Sequence, residues 1–214
     1  MGSIPLALPR DLDTDRLLER AGGGDRSAVE QLLGKCRSRL RQMVAVRMDD
    51  RLSARVDPSD VVQETLLVAS ERLPAYLAHP ALPFYLWLRR IAWERLVDLH
   101  RRHIRADRRS VLREEPLRVS DTSAMQLADR LFAGGTGPLK RLLRAELVAR
   151  VRTAVGRLAE GDREILLLRH LEQLKLVDCA LVLEISQTAA KKRYLRALER
   201  LHRLLRQQQS GNTP

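Results

Sequence analysis

Three carboxylates, Asp57, Asp60 and Glu64, follow one another at spacings of three and four, which on a helix puts them on neighbouring turns of one face. Such a set has the makings of a Mg²⁺ site for phosphodiester cleavage. The same residues have a simpler reading. Asp57 before Pro58 is a helix cap, and Asp60 adds negative charge to the first turn. A nuclease also needs a second carboxylate cluster or a basic catalytic residue at motif spacing, and none follows. His100 and His103 stand close enough to share a metal, but with no third ligand nearby they read as part of the arginine-rich run around them. Cys36 and Cys179 belong to no CxxC or Cys/His spacing and read as small core residues of a reducing compartment. We therefore expect no enzyme, no catalytic residue, no metal and no cofactor.

The chemistry that remains is the binding of a polyanion. Lys and Arg outnumber Asp and Glu by 39 to 27, a formal charge of +12, which favours nucleic acid ahead of an anionic membrane. The excess is concentrated. Between 187 and 208 seven basic residues (191, 192, 193, 196, 200, 203 and 206) meet one acid, Glu199, a density suited to a DNA groove and its flanking phosphates. No run of about eighteen uncharged apolar residues occurs, and the opening MGSIPLALPRDLD has neither a basic n-region nor a long apolar core. The expectation is a soluble, cytoplasmic, nucleoid-associated chain without membrane insertion.

Helices must position these residues. Leu, Ala, Arg and Glu dominate, aromatics are 3% and alternating β-branched runs are nearly absent, so the fold class expected is all-α. A helix at 14–21 ends at Gly22, Gly23 and Gly24, and Ser27 with Glu30 reads as a capping box opening the next, with Val29, Leu32, Leu33, Cys36 and Leu40 inward. The helix from Pro58 buries Val62, Leu66, Ala69 and Leu73. Three prolines interrupt 74–83 and predict a loop over 73–84. Phe84 then starts a helix with Leu88, Ala92, Leu96 and Leu99 on one face. The Gly-rich stretch 133–138 marks a connector, with local helix expected around 125–132. Helices resume at 142–158, 162–172, 175–182 and 187–208. The last two have helix-turn-helix spacing: Leu176, Cys179 and Ala180 pack against Ala190, Tyr194, Ala197 and Leu201, and the second helix presents Thr188, Lys191, Lys192, Leu195 and Arg196, with Arg200 one turn on. The organisation expected is two small helical domains, 12–105 and 141–208, joined by a flexible linker at 106–140, the C-terminal one a helix-turn-helix.

Two blocks carry a family resemblance. KLVDCALVLEIS at 175–186 followed by AAKKRYLRAL at 189–198 resembles the DNA-reading region of the extracytoplasmic-function (ECF) sigma factors of bacterial RNA polymerase. DPSDVVQETLL at 57–67 resembles the polymerase-binding helix of that family, and Phe84, Trp87, Leu88, Ile91, Ala92, Asp98, Arg101 and Arg102 match its adjoining promoter-melting helix in order and spacing. The resemblance covers about 15–103 and 142–205. It implies a sigma factor that binds core RNA polymerase and directs promoter recognition, DNA melting and initiation.

The resemblance also assigns roles. Asp57, Asp60, Gln63, Glu64 and Leu67 would dock on the clamp helices of the largest polymerase subunit, with the flap as a further contact. Tyr76 and His79 would stack on an unpaired base of the minus-ten element, while Arg89, Arg90, Arg95, Arg101 and Arg102 contact phosphates. Thr188, Lys191, Lys192, Leu195, Arg196 and Arg200 would read minus-thirty-five DNA. An anti-sigma protein or other outside regulator is implied, since no sensor domain is recognisable. Two positions depart from the family: Glu94, where many relatives have asparagine, and Glu184, at the usual turn glycine. The alternative is a stand-alone helix-turn-helix regulator that binds duplex DNA without polymerase.

Overall fold

The computed structural model describes residues 12–48, 50–107, 123, 126, 127, 130 and 139–210, with side chains for all of these except 50, 103–107, 139–145, 209 and 210. Among them every regular element is helical: α1 (Leu12–Gly22), α2 (Arg26–Arg47), α3 (Asp50–Ser53), α4 (Pro58–Ala78), α5 (Phe84–Asp107), α6 (Leu139–Gly156), α7 (Glu160–Leu166), a π-helical turn (Leu167–Leu171), α8 (Leu176–Val182) and α9 (Gln187–Ser210). Two compact units emerge, one from Met1–Val44 with Val56–His103, the other from Ala45–Arg55 with Ile104–Pro214. The linker expected at 106–140 lies mostly outside the described residues. Within it, Ser123, Gln126, Leu127 and Arg130 are helical.

In the first unit, Gly24 closes α1 at φ 86°, with Asp25 N–H bonded to Arg20 O and Gly24 N–H to Ala21 O, a left-handed cap that glycine adopts at little cost. The cap of α2 is Asp25, whose Oδ1 accepts from Ala28 N–H at 3.1 Å. The capping box expected at Ser27 and Glu30 does not form, because the helix already begins at Arg26 and Ser27 instead accepts from Gln31. Pro58 opens α4 behind Asp57, which accepts from Ser59 N–H at 2.6 Å. Val61, Val62, Thr65, Ala69, Leu73 and Tyr76 are the buried positions of this helix. Leu66 is only half-buried, and Thr65 goes inside because its hydroxyl is satisfied by Val61 O at 2.7 Å. From α5, Phe84, Leu88, Ile91, Ala92 and Leu96 close the core.

The loop expected over 73–84 is shorter than that. α4 continues through Pro74 to Ala78, leaving a connector of only five residues before Phe84. Pro74 removes one helix bond, but Ser70, whose carbonyl loses that partner, is exposed to water. The next turn is held by Tyr76, which packs between Phe84 and Trp87.

In the second unit, the helix expected over 162–172 divides. α7 gives way to a π-turn in which Glu172 N–H reaches Leu167 O at 3.0 Å, and the wider spacing lets Leu167, Leu168 and Leu171 all face inward. These join Val151, Ala154, Ile165, Leu174, Cys179, Ala190, Ala197 and Leu201, most of them with no exposed surface. Burial at about 25 cal/mol per Å² makes this the main stabilisation of the helix-turn-helix. The unit also buries charge. Arg47 donates to Glu172 Oε1 at 2.8 Å and to both oxygens of Glu164 at 2.6 and 2.7 Å. Burial alone would lower the Arg47 pKa, but the two carboxylates outweigh it and hold the guanidinium charged.

Candidate functional site

The DNA-facing candidate of the second unit is α9. Ser186 caps its start, accepting from Ala189 N–H at 3.1 Å, and Ala190, Ala197 and Leu201 pin one side to the core. Helical geometry then turns Thr188, Lys191, Lys192, Leu195 and Arg196 outward, all exposed, with Leu195 at 49%. Arg200, one turn on, has a second task. It is exposed, but its guanidinium also pairs with the buried carboxylate of Asp162 on α7, which anchors the helix. Arg193 packs inward, lying against Gly161, where a Cβ would come within 3.1 Å of its Nη1. Tyr194 Oη lies 3.2 Å from His170 Nε2, with the rings stacked. Burial, aided by Arg169 and Arg130, lowers the His170 pKa.

The turn between α8 and α9 has a left-handed residue that is not glycine. Glu184 sits at φ 53°, with Ile185 N–H bonded to Ala180 O at 3.0 Å and Glu184 N–H to Leu181 O at 3.3 Å. This is the same closure that Gly24 gives α1, but the Glu184 Cβ adds a steric cost.

On the first unit, the inward positions of α4 leave Asp60, Gln63, Glu64 and Leu67 exposed on successive turns. Leu67 is 64% exposed, an apolar centre on an acidic face. Asp57 is exposed at the head of this face, but its carboxylate is used as the cap. Hydrogen bonds from Ser59 and the nearby Arg41 lower its pKa.

The other surface of this unit comes from α5 and the connector before it. Two expectations need correction here. Tyr76 has no free ring to offer a base: it is 7% exposed, stacked on Trp87 at 4.5 Å and edge-on to Phe84 at 5.6 Å, and its hydroxyl donates to Leu82 O at 2.9 Å. Burial, with the charge of Asp15 second, pushes its pKa up to about 12. Arg89 is 6% exposed and turns away from phosphate, because the arc of α5 that buries Leu88 and Ala92 also takes in position 89. His79, Arg90, Arg101 and Arg102 are exposed and Arg95 is half-buried. Among them stands Glu94, 3.4 Å from Arg90 and 3.5 Å from Arg72 of α4. Sequence reasoning passed over Arg72 because it treated α4 as a docking helix only. His103 has no described side chain.

Residues 149–201 match the family described as Sigma-70, region 4. Over 196 residues the sequence is 31% identical to RNA polymerase sigma factor CnrH of Cupriavidus metallidurans, covering 90% of this chain and 95% of that protein. It is 27% identical to RNA polymerase sigma-H factor of Pseudomonas aeruginosa, covering 89% and 92% of the two chains. It is also 27% identical to ECF RNA polymerase sigma-E factor of Haemophilus influenzae, covering 90% and 95%. The fold is similar to that of CnrH solved in complex with the cytosolic domain of CnrY, at TM-score 0.54 and 24% identity over 94% of this chain and 99% of that one.

Proposed function

The chain belongs to the ECF group of RNA polymerase sigma factors, and from that premise we propose how its two units divide promoter recognition, opening and initiation. The exposed basic face of α9, carried on the helix-turn-helix, reads minus-thirty-five DNA through Thr188, Lys191, Lys192, Leu195 and Arg196. Of all the observations, this face supports the reading most directly: its side chains point outward as a set while Ala190, Ala197 and Leu201 hold the helix in place. Position-tolerant phosphate contacts supply affinity, and the outward Thr, Lys and Arg groups meet base edges.

The first unit docks on core polymerase through Asp60, Gln63, Glu64 and Leu67, whose negative rim and apolar centre suit a basic coiled coil. Asp57 fixes the start of that helix. The α5 surface, with Arg90, Arg95, Arg101, Arg102 and the ring of His79, receives the minus-ten strand. Opening costs a few kcal/mol, offset by capture of unstacked bases. Phosphodiester synthesis belongs to the polymerase, and this chain contributes no catalysis of its own. No helix among the described residues is long and apolar enough to cross a membrane, and we place the chain with the cytoplasmic polymerase. CnrH was solved in complex with the cytosolic domain of CnrY, and by analogy a protein partner that sequesters the chain, an anti-sigma protein, is the control we assign here. Reconstitution with core enzyme tests the reading: the pair opens a cognate promoter, seen as permanganate-reactive thymines, and neither component does so alone. Opening by core enzyme without this chain, or duplex binding by this chain that core enzyme leaves unchanged, would contradict it.

A further inference from the structure

That division of labour gives no role to Glu94, an acid set among the arginines of α5. Glu94 extends its two carboxylate oxygens to arginines of two different helices, Oε2 lying 3.5 Å from Arg72 Nη1 of α4 and Oε1 lying 3.4 Å from Arg90 Nε of α5. All three side chains are about half exposed or more, and exposed ion pairs add little to folding. Stability therefore does not account for the arrangement. Its physical effect is to fix two guanidiniums, each on a long and otherwise mobile side chain, at one spacing across the seam between α4 and α5. A guanidinium bound to carboxylate is also bound to the group that phosphate most readily replaces, since both present paired oxygens to the same fork of donors.

We infer that Glu94 is a positioning residue for the melted strand: it holds Arg72 and Arg90 as a pair and yields them only to DNA that offers phosphates to both. The inference rests on the functional reading above and adds Arg72, from the docking helix, to the DNA surface. Once its arginines turn to phosphate, the Glu94 carboxylate repels any further phosphate placed over it, so the strand crosses this point with a base or sugar facing the acid. A strand set in register elsewhere on the surface pairs a phosphate with each arginine in exchange for the Glu94 carboxylate. An unrelated strand breaks the Glu94 pairs and replaces them incompletely. The Arg72–Glu94–Arg90 pairing thus lowers non-specific binding more than promoter binding.

The test uses the full chain assembled with core polymerase and compares a pre-opened promoter bubble with an unrelated single strand of equal length across a salt series. Glu94→Gln is expected to bind the unrelated strand about fivefold more tightly. Its dependence of log affinity on log salt should steepen by roughly 0.7 for each additional phosphate neutralised, and the preference for the bubble should fall by a similar factor. The tighter binding disappears when Arg72→Ala or Arg90→Ala is added, and Glu94→Asp, which keeps the charge, restores the parent slope. A residue that only braced the fold would leave the salt slope unmoved. An unchanged slope and ratio in Glu94→Gln, or tighter binding that survives in Arg72→Ala, would overturn the inference alone. A parent chain that does not bind core polymerase overturns the functional reading and this inference together.

Discussion

The two helices assigned to DNA, α9 and α5, are built in opposite ways. On α9 the outward groups are nearly all basic, with Lys191, Lys192 and Arg196 around Leu195 and Glu199 the one acid of the helix. Beside them the half-exposed Arg200 is held on the buried carboxylate of Asp162, and the unit buries Arg47 between Glu164 and Glu172. On α5 the outward groups are mixed in sign, with Glu94 and Asp98 interleaved among Arg90, Arg101 and Arg102. Underneath is an aromatic cluster of Tyr76, Phe84 and Trp87. The difference suits the two forms of DNA. A duplex groove is bound first through phosphate density, for which one-signed charge suffices. An opened strand has to be recognised as open, and a surface of mixed sign attracts closed duplex less strongly while still accepting unstacked bases.

The largest effect should come from the buried ions of the second unit. Arg47→Met leaves Glu172 buried with its partner gone and is expected to destabilise the second unit by about 3–5 kcal/mol in chemical denaturation. Replacing Arg47, Glu164 and Glu172 together by apolar residues should restore much of that loss, because no uncompensated charge then remains. Equal losses in both variants would remove buried charge from the comparison. Next, Lys191, Lys192 and Arg196 changed together to alanine should weaken minus-thirty-five binding at least a hundredfold and flatten the salt slope by about 0.9 for each phosphate no longer neutralised, with polymerase binding intact. The pair Arg101→Ala and Arg102→Ala should flatten it less. A larger change from the α5 pair would reverse the contrast between the two helices.

Smaller effects separate structure from contact. Tyr76→Phe loses one hydrogen bond to Leu82 O, worth about 1 kcal/mol of stability, and should leave promoter opening at the parent level once folded. A selective loss of opening would return Tyr76 to the DNA surface. Glu184→Gly should stabilise the second unit by about 0.5–1 kcal/mol, because glycine adopts φ near 53° without the Cβ penalty. The pH dependence has a definite sign at His170. Its pKa lies below the ordinary 6.5, so the folded unit binds a proton less well than the unfolded chain does. Its stability is full above pH 6.5 and declines as pH falls through that value. His170→Gln should flatten that decline, measured as melting temperature between pH 7.5 and 5.5.

How far the sequence could be read depended on whether local pattern or tertiary packing decided each feature. The helix-turn-helix and the outward set on α9 follow from a 3.6-residue period with small residues at 190 and 197, and the α4 start follows from Asp57 and Pro58; both signals are local. The misreading at 73–84 came from treating proline as a stop. Pro74 is tolerated inside α4 because Ser70, whose carbonyl it leaves without a helix partner, is exposed and Tyr76 anchors the turn beyond it, which only the packing of Phe84 and Trp87 reveals. Arg89 and Arg200 counted equally with the other arginines in sequence, since charge density says nothing about which guanidinium is buried or paired. The partners of Arg47 lie more than a hundred residues away, beyond any periodicity. Glu184 stood out by type, but its left-handed backbone required the turn itself.

The most direct test of the central claim is co-purification with bacterial core RNA polymerase, comparing the parent chain with a variant in which Gln63, Glu64 and Leu67 are alanine. These side chains face outward from α4, so the variant keeps its fold, checked by helical circular dichroism. The account predicts that the parent chain is retained by core enzyme and the folded variant is not. Retention of both equally would contradict the docking face assigned to α4, and failure of the folded parent chain to bind a cognate core enzyme would contradict the role assigned to the whole chain.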